Sequence, residues 1–146
     1  MSPALRGTLA GALLFSLGLA VGHLAFPSAQ AGDEPADRFF EMRTYTTHPD
    51  KLEALHDRFR DHTNRLFEKH GMDLVGYWTP AGGPEADNTL VFILGYPDRE
   101  AREQSWEAFV ADPEWQEAYE ESHRDGPLVS EVDSRFLVPT DYSPIR

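Results

Sequence analysis

The sequence contains no cysteine. That excludes disulfides, thiol nucleophiles, thiolate-held metals and covalent haem attachment. It does not exclude export, because a secreted fold can do without disulfides. Basic residues are scarce: 13 Lys and Arg stand against 25 Asp and Glu, a net charge of -12. Nucleic acid and anionic membrane surfaces are therefore poor partners. The acids are scattered along the chain, which describes a solvated acidic surface and not an acidic tail. No Gly-rich phosphate loop, Gly-x-Ser-x-Gly elbow or His-Glu-x-x-His helix occurs, and Gly82-Gly83 reads as part of a turn.

What is present suffices for a folded domain. The 146 residues are 40% hydrophobic and 12% aromatic, enough to bury a core in one domain. Residues 1–31 have the form of a signal peptide. Arg6 supplies the positive start, Leu9 to Phe26 the apolar run, and Ala29-Gln30-Ala31 a small-x-small cleavage site. This predicts export to the periplasm or the medium. The alternative is a membrane anchor over residues 9–26, which Gly11, Gly18, Gly22 and His23 weaken. Residues 32–37 form a polar lead-in to a domain spanning 38–146, with an extended C-terminal tail after Pro139.

The organising stretch is Phe39 to Thr46. Its alternation predicts a strand with Phe40, Met42 and Thr44 on one face and Glu41, Arg43 and Tyr45 on the other. Asp50 is placed to cap a helix over Lys51 to His70, in which Leu52, Leu55, Phe59, Leu66 and Phe67 share one stripe and Gly71 ends the run. Met72 to Pro80 predicts a second strand. Its alternation puts Leu74, Gly76 and Trp78 on one face and Val75, Tyr77 and Thr79 on the other. A loop over Ala81 to Asp87 leads to a third strand, Asn88 to Tyr96, whose apolar run implies cover on both faces. Asp98 caps a second helical region, and Asp112-Pro113 restarts it. Glu131 to Val138 is the last strand. The order strand, helix, strand, strand, helix, strand predicts an α+β, ferredoxin-like βαββαβ fold. Two helices would cover one face of a four-stranded antiparallel sheet. The open face needs a second cover, and a homodimeric barrel of two facing sheets supplies one.

Several blocks resemble the NIPSNAP family. They are Phe40-Glu41-Met42-Arg43-Thr44-Tyr45, Leu66-Phe67-Glu68-Lys69-His70-Gly71, Gly76-Tyr77-Trp78, Asp87-Asn88-Thr89-Leu90 and Tyr96 through Arg102. Ser105-Trp106 through Phe109, Asp112-Pro113-Glu114-Trp115 and Pro139 through Pro144 complete the series. The resemblance covers the mature chain and implies a dimeric α+β barrel. In fold that relates it to small cofactor-independent monooxygenases and to haem-degrading barrels. It implies no established reaction. This chain departs from the mitochondrial members by its bacterial type of secretory signal.

The candidate ligand-pocket residues are Glu41, Arg43, Tyr45, His62 and Trp78. An Arg43 pointing into the barrel is a buried cation that needs a partner, and Glu41 on the same face can supply it. In the structural reading that pair and a tyrosine hydrogen bond fix the interior. In the functional one Arg43 and Tyr45 hold an anionic or carbonyl-bearing ligand, with Trp78 as an aromatic wall. Trp106, Phe109, Trp115 and Tyr119 read as core. His56, His62 and His70 lack the three- or four-residue offset that brings two ligands to one ion, so no metal and no resident cofactor are expected. His62 borders the apolar stripe and is the histidine best placed to reach the interior. The leading expectation is a homodimeric small-molecule-binding or interaction module. The rival is a cofactor-independent monooxygenase acting on a small aromatic. In it Arg43 would hold the substrate anion, Tyr45 or His62 would move a proton, and Trp78 would shape the pocket. Haem binding through a histidine is a third possibility.

Overall fold

The computed structural model describes residues 38–146. The signal peptide or anchor (1–31) and the lead-in up to residue 37 lie outside the described residues. The predicted order of elements is present. Strand β1 (Phe39–Thr47) leads to one rod made of α1 (Leu52–Arg58), a π-helical turn (Phe59–Thr63) and α2 (Asn64–Lys69). Strands β2 (Asp73–Trp78) and β3 (Thr89–Tyr96) follow. Next come α3 (Arg99–Ala111) and α4 (Pro113–Ser122), then β4 (Val129–Leu137). The sheet is antiparallel, in the order β2-β3-β1-β4. Among the described residues no helix is long and apolar enough to cross a membrane.

The core lies between the sheet and the helices. Phe92, Leu94 and Tyr96 of β3 are fully buried against Leu55, Leu66, Phe67 and Phe109. The odd-numbered residues of β1, from Phe39 to Tyr45, share this side through their pairing with Tyr96, Leu94, Phe92 and Leu90. The polar row of β1 therefore faces the helices and not the open sheet face that would line a barrel of two sheets, so the expectation that Arg43 points into such a barrel is not met. The outer face carries Phe40, Val75 and Ile93, with tail residues Leu137 to Ile145 beside them.

Local chemistry explains the element ends. Asp98 accepts from the Ala101 N–H at 2.8 Å and Asp112 from the Glu114 N–H at 2.9 Å, as N-caps with proline opening α4. Gly71, at φ +78°, closes the rod. Its N–H reaches the Glu68 carbonyl and the Met72 N–H reaches that of Phe67, both at 3.0 Å, a Schellman closure. Asp50 does not cap α1. It sits at φ 61° in the preceding turn, and no side chain caps that helix. Asp112 also binds Lys69 Nζ and His70 Nε2, each at 2.7 Å, and so ties α2 to the corner between α3 and α4. Lys69, His70 and the Glu114 N–H hold its carboxyl well below the usual range.

Two irregularities move residues from where uninterrupted periods put them. Val75 and Gly76 together oppose Ile93 in a β-bulge. Leu74 and Tyr77 consequently share the helix side, opposite Leu94 and Phe92. The Trp78 indole lies over Gly76, where a Cβ would come within 2.6 Å of it. In the rod, the wider π-helical turn brings Thr63 to the core at 1% exposure, its hydroxyl donating to the Arg58 carbonyl at 3.1 Å. His62 is left only half-buried.

Candidate functional site

Glu41 is fully buried beneath the helices and is the centre of a hydrogen-bonded knot. Its Oε1 accepts from Arg43 Nη1 at 2.7 Å, Arg102 Nη2 at 2.8 Å and Ser134 Oγ at 2.6 Å. Its Oε2 accepts from Arg102 Nε at 2.8 Å and Trp106 Nε1 at 3.0 Å, with the Tyr96 hydroxyl at 3.4 Å. Burial by itself would raise the pKa of this carboxyl. Arg102, Ser134 and Arg43 together outweigh that and hold it at about 2. Burial and the Glu41 charge push the Tyr96 phenol above its usual range, so it stays a donor.

Arg43 is committed to this knot. Its guanidinium lies 4.4 Å from the Trp106 ring centroid and 5.3 Å from that of Tyr45. It thereby supports two aromatics that line an open cleft of about 610 Å³ between sheet and helices. Phe59 and Phe67 form the buried floor, and Trp106, Trp115 and Tyr119 form the helical wall. The Trp115 ring packs at a tilt against Phe109, centroids 4.4 Å apart, and lies 5.6 Å from Tyr119. The size and aromatic lining suit a flat organic molecule.

Of the five residues picked from the sequence, the structure joins Glu41 to Arg43 directly, and Arg43 to Tyr45 by ring contact. Tyr45 alone of the five lines the cleft. Its ring packs edge-on to Phe92 at 5.1 Å. The tyrosine that hydrogen-bonds Glu41 is Tyr96, not Tyr45. Trp78 lies apart, bordering a separate 350 Å³ hollow with His56, Phe59 and Tyr77. His62 is also apart, in a shallow groove with Asp57, Asp61 and Glu121.

The sequence reading missed three features. Trp106, Trp115 and Tyr119 read as core, yet Tyr119 is 46% exposed and all three face the cleft. The visible signal was a wide aromatic stripe carried across a helix break. His123 also lines the cleft. Its Nδ1 is 2.7 Å from the Tyr119 carbonyl, which can only accept. Nδ1 therefore carries the hydrogen in the neutral ring, and Nε2 is the free base. Arg58, in the middle of the rod, lines the cleft at only 6% exposure. Burial pulls its pKa below the ordinary arginine value, against a smaller opposing effect of Tyr45 and Tyr119. Among the described residues no group of three or more His, Asp or Glu side chains could hold a metal ion.

Comparison with known proteins adds the following. The NIPSNAP family model matches residues 40–144. An uncharacterized NIPSNAP-like domain protein from Burkholderia xenovorans superposes with a TM-score of 0.66 at 27% identity, over 75% of this chain and 90% of that one. A NIPSNAP domain protein from the same organism is 29% identical, with a TM-score of 0.63 over 73% and 98% of the two chains. SnoaB, a cofactor-independent oxygenase from Streptomyces nogalater, has a TM-score of 0.51 at 17% identity over 75% and 99%, a likeness of fold alone. No curated protein matches the chain.

Proposed function

The chain belongs to the NIPSNAP family, and from that footing we propose that it is an exported, homodimeric protein whose sheet–helix cleft binds a flat aromatic small molecule. The observation that carries the reading is the cleft wall. Tyr45, Trp106, Trp115 and Tyr119 keep accessible ring surface around about 610 Å³ of open space. Aromatic rings with no binding role would gain more by closing on one another. Arg43 stacks beneath two of these rings while its charge is met by Glu41. The knot thus holds Tyr45 and Trp106 rigid at the cleft without needing the ligand.

Two further parts of the reading rest on other features. The signal-like residues 1–31 support export, and amino-terminal sequencing of the protein from its host should begin at Gly32. The outer sheet face, with Val75, Val91 and Ile93 only half-buried, supports cover by a second copy. Light scattering after gel filtration should give twice the mature mass. The central test is native mass spectrometry of the protein from its own host. A stoichiometric aromatic adduct is expected, and a Trp115→Ala variant should lose it. An empty protein that also fails to quench on titration with aromatic probes would sink the reading.

One observation favours a second reading, a cofactor-independent oxygenase. His123 offers Nε2 as a base at the cleft, and an aromatic substrate made electron-rich by losing a proton there can itself reduce dioxygen. Oxygen uptake with the isolated ligand, abolished in His123→Gln, would support it. A bound ligand without turnover would leave the binding reading alone.

A further inference from the structure

We propose that Arg58 anchors an anionic group of the ligand, so that the site selects an aromatic carboxylate over its neutral counterpart. The inference rests on the cleft being a ligand pocket. Arg58 is 6% exposed, and no carboxylate among the described residues pairs with it. Its Nη1 makes one long bond, 3.3 Å to Ser122 Oγ, and its buried Nε has no hydrogen-bond partner. A guanidinium presents five N–H donors. Here most of them have no acceptor among the described residues.

The contrast within the same layer is one of charge pairing, since the buried Arg43 Nε also lacks a hydrogen-bond partner. Arg43 and Arg102, both better exposed than Arg58, share the Glu41 carboxylate. Arg58 instead lies 5.2 Å from the Trp115 ring centroid and 5.6 Å from that of Tyr119. Ring faces relieve part of the desolvation of a guanidinium, but they supply no hydrogen-bond acceptor. Asp57, Asp61 and Glu121 share a groove with Arg58 on its other side, and none forms an ion pair with it.

The two rings that flank Arg58 are the ones that would hold an aromatic ligand. A planar carboxylate on that ligand can take the guanidinium fork in two parallel bonds. Orientation follows from the remaining charges. Glu120 and Glu131 also line the cleft but are exposed to solvent. They repel an anion at the mouth and favour the carboxylate end inward, where Arg58 is buried. The Glu41 knot adds to this, since it carries two guanidinium groups against one carboxylate.

The test is a fluorescence or calorimetric titration of the mature protein with 2-naphthoate and with the isosteric neutral 2-naphthamide. The carboxylate should bind about 10- to 100-fold more tightly in the wild type. In Arg58→Met the two should bind alike, with amide affinity retained. Equal binding in the wild type would overturn the anchor while leaving the pocket intact. So would an unchanged preference in folded Arg58→Met. Failure of both probes would overturn the pocket and the anchor with it. Equal binding in the wild type needs no variant to overturn the anchor, so the proposal stays refutable even if Arg58→Met does not fold.

Discussion

Replacing Glu41 by glutamine should destabilise the protein by about 3 kcal/mol at pH 7, and the deficit should fade in acid. The side chain keeps its shape and one acceptor oxygen, so packing is nearly preserved. What is lost is the negative charge that Arg43 and Arg102 share. The magnitude comes from the carboxyl itself, whose pKa is held at about 2 against an ordinary 4.5. At about 1.4 kcal/mol per pH unit, that interval corresponds to about 3 kcal/mol. The folded-state pKa is depressed, so the stabilisation is complete above the unfolded value near 4.5. It is lost as pH falls through about 2. Urea unfolding of wild type and Glu41→Gln, at one protein concentration and at several pH values from 7 down to 2, measures it. Other carboxyls titrate in both proteins and cancel in the difference. The gap should be widest at neutral pH, shrink below 4.5 and be small at 2. A gap under about 1 kcal/mol, or one independent of pH, would refute the reasoning. It would mean that the two arginines do as well with water as with Glu41.

The remaining expectations are simpler. Arg58→Met should raise the ligand-free melting temperature by roughly 2–5 °C, because it removes a buried cation that lacks a carboxylate partner and keeps apolar contact with Trp115. A fall of similar size in a thermal melt would show that the guanidinium is satisfied in the empty protein. Gly71→Ala forces a Cβ into a left-handed conformation at φ +78° and should cost about 1–2 kcal/mol in urea unfolding. Space is not the cause, since the nearest atom to that Cβ would be Ser105 Oγ at 3.8 Å. Ile93→Asp puts a charge on the outer sheet face and should convert the proposed dimer to monomers by light scattering without altering the circular dichroism spectrum.

Much of the fold was legible because local chemistry wrote it. The alternation of β1 set its two faces, and Asp98, Asp112-Pro113 and Gly71 marked the helix ends where the structure has them. The family resemblance carried by blocks from Phe40 to Pro144 agrees with the matched family over residues 40–144. What the sequence could not show was where a period breaks. The extra residue at Val75/Gly76 reverses the faces of β2 beyond it, and the π-helical turn leaves His62 half-buried while Thr63 takes the core. Neither has a residue signature, because both are settled by packing across the sheet–helix interface. The Glu41–Arg43 pair was readable from two-residue spacing. Its partner Arg102 lies 61 positions away and was not. Arg58 was invisible for the opposite reason: its character lies in a missing partner, and a sequence shows only which residues exist.

The bulge in β2 also has a bearing on solubility. β2 and β4 are the two rims of the sheet, and a rim with free N–H and C=O groups is a template on which another strand can grow. Two residues facing one at Val75/Gly76 break the regular spacing of β2. The other rim, β4, carries Glu131, Asp133 and Arg135 in alternation, and charged side chains on an edge strand oppose its pairing with another chain. Rims interrupted in this way oppose growth of the sheet edge to edge into a fibre.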